Sequence, residues 1–66
     1  MSRLGWERIH NNIWVKLISD TTALRVEPED DTWKWTVFIN RQAVKSGFAG
    51  SEEAAMNEAD DYVREE

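Results

Sequence analysis

The chain has 66 residues, 41% of them hydrophobic and 32% charged, with no cysteine and a net charge of −5. A chain this short hides only about 60% of the surface it exposes when unfolded, so it builds one core and forms a single domain over 1–66. The lack of cysteine excludes a disulfide framework, a thiolate nucleophile and a thiolate metal site.

The opening MSRLGWERIH lacks the apolar centre of a signal peptide, and no stretch approaches the roughly eighteen apolar residues of a membrane span. With no cysteine to oxidise, the expected location is the cytoplasm, with no membrane partner. WERIH is a faint first strand over about 4–10. IWVKLIS (about 13–19), ALRVE (about 23–27), TWKWTVFIN (about 32–39) and AVKSGFA (about 43–49) are rich in β-branched and aromatic residues and bounded by turn formers. In TWKWTVFIN, Trp33, Trp35, Val37 and Ile39 share one face with period two, and Thr32, Lys34, Thr36 and Phe38 share the other. Leu24 and Val26 likewise point inward, with Arg25 and Glu27 outward. IWVKLIS is apolar on both sides, with Ile13, Val15 and Leu17 on one face and Trp14 and Ile18 beside Lys16 on the other. Trp14 is expected with Phe38 on an outer sheet face, among Lys16, Lys34 and Thr36.

The links are short: Asn11-Asn12, Asp20 to Thr22, Pro28 to Asp31, and Asn40 to Gln42. Links this short join antiparallel neighbours, because a parallel pairing needs a crossover of a dozen or more residues. Gly50 then breaks the pattern, and Ser51 is a fit N-cap for a helix over about 51–65. Glu52 and Glu53 sit where the helix dipole favours negative charge, and Ala55, Met56, Ala59, Tyr62 and Val63 form an apolar stripe. The expected fold class is α+β: an antiparallel meander sheet of four to five strands with one C-terminal helix packed across one face. The four tryptophans, each able to bury roughly 150–250 Å², are expected to make most of the core. So small a core leaves room for a homodimer.

The charge is uneven. Residues 51–66 carry seven acids and one arginine, a net −6, whereas residues 1–50 carry seven bases and six acids, a net +1. Four of those six acids lie in EPEDD. A charged surface helix keeps a small protein in solution, which is the plain explanation. Two details go beyond it. The helix ends Arg64-Glu65-Glu66, negative at the wrong end of its dipole, and Asp61 and Glu65 are a like-charge i,i+4 pair. Glu53, Asp60, Asp61 and Glu65 lean away from the apolar stripe, while Glu52, Glu58 and Glu66 flank it. Sixteen helical residues span roughly 24 Å, which places one acid per about 3.4 Å of axis, close to the phosphate spacing of one DNA strand. A rigid row of this kind fits a basic groove built for nucleic acid. The expected partner-binding residues are Glu53, Glu58, Asp60, Asp61 and Glu65, supported by Glu29, Asp30 and Asp31.

Other chemistries have weaker support. EPEDD and EADD lack the alternating, glycine-containing spacing of a calcium loop, so no metal or cofactor is expected. His10 is the only histidine and stands beside a turn, so no general base is in place and an enzyme is not expected. An outer face bearing aromatics and lysines has the ingredients of a single-strand nucleic-acid platform. A pI near 4.7 argues against direct nucleic-acid binding and favours those aromatics covering the sheet or meeting a partner subunit.

In length, charge and the segments EPEDD and SEEAAMNEADDYVREE, the chain resembles the small acidic proteins that bacteriophages encode against host defence, among them the anti-CRISPR inhibitors. The resemblance is one of type rather than of motif. It implies a non-enzymatic inhibitor, acting in the host cytoplasm as a DNA mimic against a basic nucleic-acid-binding protein, such as a type I CRISPR surveillance complex. The alternative is an interaction module that pairs through its aromatic sheet face.

Overall fold

The structure, a computed structural model, describes residues 5–10 and 12–64. Among them are five strands and one helix: β1 (Trp6–Arg8), β2 (Trp14–Leu17), β3 (Thr22–Glu29), β4 (Thr32–Ile39), β5 (Gln42–Ala49) and α1 (Glu52–Arg64). The strands form one antiparallel sheet in the order β1-β2-β3-β4-β5, and α1 packs on one side of it, so the fold is α+β.

Two-residue hairpins set the register. Asn40 and Arg41 both have φ near +60° (54° and 68°), the pairing that gives a tight turn the right-handed twist of its flanking strands. Asp30 has φ 55° and with Asp31 closes the β3–β4 hairpin. The turn expected over Pro28 to Asp31 is therefore shorter, and Pro28 belongs to β3, opposite Trp33. It is tolerated there because β2 pairs only with Ala23 to Val26, so the missing N–H of Pro28 faces no neighbouring strand.

The pairings fix which side chains share a face. Trp6, Lys16, Leu24, Val37 and Lys45 form one cross-strand row, and Arg8, Trp14, Val26, Trp35 and Gly47 form the next. Both rows lie under α1, where Leu24, Val26, Val37, Ala55 and Ala59 are fully buried with Met56 and close the core with Trp6, Trp35 and Ala49. The two alanines let the helix sit close to the sheet. Trp14 and Trp33 are partly buried at the margin of this core.

The placement of Trp14 with Phe38 on the outer face is corrected. Trp14 and Lys16 lie on the helix side, and Val15 and Leu17 point the other way, leaving Leu17 76% exposed. The physical reason is the pairing of Trp14 with Val26 and of Lys16 with Leu24, the inward residues of β3, which settles a parity that the strand's own composition leaves open. Ser51 caps the helix as expected: its hydroxyl oxygen accepts from the Ala54 N–H at 3.1 Å, and its carbonyl accepts from Ala55 at 3.0 Å.

Gly47 is opposite Trp35, and a Cβ there would lie 2.7 Å from the indole Cζ2. The ring lies flat on a residue that has no side chain. Gly47→Ala is expected to displace Trp35 and lower stability by about 1–3 kcal/mol, read as a lower urea midpoint with an altered near-ultraviolet tryptophan signal. An unchanged midpoint would show that the indole moves aside without cost.

Candidate functional site

Most of the helix carboxylates that the structure describes have partners. Glu52 accepts a hydrogen bond from Trp14 Nε1, and Glu58 Oε1 accepts one from Trp35 Nε1 at 2.9 Å. Asp60 Oδ1 receives Lys16 Nζ at 3.0 Å, in a pair whose side chains are 18% and 25% exposed. Asp61 pairs with Arg64 at 3.4 Å on the open surface. The indole N–H of a part-buried tryptophan needs an acceptor, and the edges of the helix supply carboxylates at the height of the rings. Glu52 and Asp60 reach toward β2, and Glu58 reaches toward β4 beside Tyr62, whose ring centroid is 6.3 Å from that of Trp35. The helix is thereby clasped to the sheet on both flanks.

Of the residues expected to bind a partner, Glu58 and Asp60 thus have intramolecular roles, and Glu65 lies outside the described residues. Glu53 is exposed in the first turn of α1, and Glu29, Asp30 and Asp31 are exposed at the β3–β4 hairpin. Because Trp33 pairs with Ala49, that hairpin and the start of the helix lie at the same end of the sheet. Asp61 sits eight residues beyond Glu53, about 12 Å along the helix. The described residues include no group of three or more His, Cys, Asp or Glu side chains able to hold a metal ion, and no helix long and apolar enough to cross a membrane.

The other side of the sheet is bare. No element of the described structure covers Leu17, Phe38 or Phe48, and Phe48 is 58% exposed. Four same-face rows cross it: Leu17, Ala23, Phe38 and Ala43; Glu7, Val15, Arg25, Thr36 and Ser46; Glu27, Lys34 and Phe48; and Glu29 and Thr32. Arg25 drapes over this face. Its guanidinium lies 5.0 Å from the Phe38 ring centroid and 3.6 Å from Glu27, and its stem helps to leave Thr36 only 4% exposed. A bulge between Val37 and Phe38 interrupts the β4–β5 ladder and leaves Val44 as the extra residue. The exposed roles of Leu17, Lys45, Ser46 and Phe48 were missed by sequence reasoning. In AVKSGFA neither alternate set is clearly apolar, and nothing there signals a bulge.

No protein-family model, curated protein or solved structure matches the chain.

Asp60→Asn is expected to lower stability by about 1.5–3 kcal/mol in urea unfolding, because it strands Lys16 in a part-buried site. Asp61→Asn should stay within about 0.5 kcal/mol of the parent, since its pair is exposed. Equal effects from the two variants would show that Asp60 does not clasp the helix.

Proposed function

We propose that this protein is a non-enzymatic binding domain whose recognition surface is the bare face of the sheet. The observation that carries this reading is the exposure of Leu17 and Phe48, with Val44 and the half-buried Phe38, on a side that no other described element covers. Scattered exposed apolar residues are ordinary, but a face on which they are interleaved with cations and hydroxyls has the makeup of an interaction surface. The acids of the helix have a structural task on the opposite side, where they hold the tryptophans and Lys16.

A second reading keeps the carboxylates as the contact surface, in a DNA-mimicking inhibitor of a basic nucleic-acid-handling protein such as a CRISPR surveillance complex. One observation favours it: Glu29, Asp30 and Asp31 lie at the same sheet end as Glu53, so the exposed acids of the turn and of the first helical turn form one rim. In this reading Glu53, Asp61 and the hairpin acids make charge-assisted hydrogen bonds to arginines and lysines of the partner.

Side-chain footprinting in a bacterial lysate, compared with buffer, separates the two. Radical labelling of Phe48, Phe38 and Leu17 should be suppressed in the lysate while carbodiimide labelling of Glu53, Asp61 and Glu29 to Asp31 is unchanged. Suppression confined to the carboxylates would reverse the assignment.

A further inference from the structure

The strand residues of the bare face carry both signs of charge, Glu7, Glu27 and Glu29 beside Arg25 and Lys34, which gives that face a net −1 on a chain of −5. A surface so mixed is matched best by another that carries the same two signs. Lys34 stands opposite Glu27 on the neighbouring strand, yet Glu27 turns to Arg25 at 3.6 Å, and among the described residues Lys34 forms no ion pair. The relief of the face is as uneven as its charge. Leu17 and Phe38 stand on either side of the short Ala23, and with the flanking turns they wall a depression of about 380 Å³.

We propose that this face pairs with the same face of a second copy of the chain, about a two-fold axis that runs along the strands between β3 and β4. The inference rests on the bare face being the recognition surface, and it names the partner. Such an axis lays β3 of each copy over β4 of the other, and β2 over β5, row upon row. Glu27 of each copy then faces Lys34 of the other, an opposite-charge contact made twice. Ala23 faces Phe38, Leu17 faces Ala43, Arg25 faces Thr36, and Val15 faces Ser46. Each of these contacts sets a bulkier side chain against a shorter one. Sheets packed face to face stand about 10 Å apart, a gap that two long side chains overfill and two short ones leave void. Phe38 of one copy thus enters the depression above Ala23 of the other. The roughly −30° between aligned sheets displaces the outer strands most and leaves β3 and β4, beside the axis, in these contacts. A two-fold axis across the strands, through the row of Arg25 and Thr36, would instead set Ala23 on Glu27 and Phe38 on Lys34, burying charge against apolar groups.

At about 3.4 Å per residue and about 4.8 Å per strand, the strands project roughly 500 Å² of sheet, so a pair buries on the order of 1,000 Å². That is the lower limit for a specific interface, and it suits a dimer that dissociates on dilution. The net charge of −5 on each copy does not prevent the pairing, because the described helix acids lie on the outer sides of the pair. Both sheets separate the two sets of acids, a distance well beyond the roughly 8 Å Debye length of physiological salt.

The test is sedimentation equilibrium of the full chain from about 1 μM to about 1 mM, over which the mass should rise from one copy toward two. Glu27→Lys and Lys34→Glu should each weaken association at least about tenfold with an unchanged circular dichroism spectrum, because each sets like charges face to face. The two substitutions together should restore association to within about threefold of the parent. Leu17→Glu, at a side chain 76% exposed, should weaken it about tenfold as well. Radical labelling of Leu17 and Phe38 in buffer should fall as the concentration rises. A chain that stays monomeric at about 1 mM, a dimer indifferent to the single variants, or no recovery in the double variant would overturn the pairing. A monomer whose Leu17 and Phe48 labelling is still suppressed in the lysate would sink this inference and leave the bare face as a recognition surface for another molecule. A monomer without that suppression would remove both.

Discussion

The attachment of one amphipathic helix to one side of a five-stranded sheet decides almost everything else about this molecule. Burial of Ala55, Met56 and Ala59 against Leu24, Val26 and Val37 gives the helix its position, but apolar contact alone is non-directional and would allow it to slide or rotate. Polar contacts on its two flanks remove that freedom. Trp14 and Trp35 must place their indole N–H groups somewhere in a part-buried layer, and Glu52 and Glu58 accept them; Lys16, on the same covered face, is received by Asp60. Two of the four tryptophans and two of the helix acids, which look like separate oddities of composition, thus meet in one interaction.

That clasp has an electrostatic consequence. It keeps the described helix acids behind the sheet and leaves Arg25 and Lys34 on the opposite face. The bare face itself is mixed in sign, because Glu7, Glu27 and Glu29 share it with Arg25 and Lys34. Net charge is a statement about solubility and long-range encounter. It does not describe the potential above one face of a two-layer fold.

The sheet also shows how a short chain economises on local signals. Two hairpins of two residues each hold β3, β4 and β5 in register, and the positive φ angles they need fall on Asp30, Asn40 and Arg41 rather than on glycine. Aspartate and asparagine visit that region at low cost, which is why the turns are legible. Arg41 is a less usual occupant. Glycine is used where close approach matters, at Gly47 beneath the Trp35 ring.

The meander, the helix with its Ser51 cap, and the inward positions Leu24, Val26, Trp35 and Val37 were all determined by the sequence by itself. Each depends on local periodicity, turn chemistry or a short link that permits only an antiparallel neighbour. Tertiary structure alone decided the rest. A strand apolar on both sides carries no internal record of which side is covered, so the face of Trp14 and Lys16 awaited pairing with β3. A bulge is a property of two strands together, so Lys45 could not be placed from β5 alone. Whether a carboxylate such as Glu58 or Asp60 faces solvent or an indole or ammonium group depends on what lies within about 3 Å of it in space, and no spacing along the chain encodes that distance.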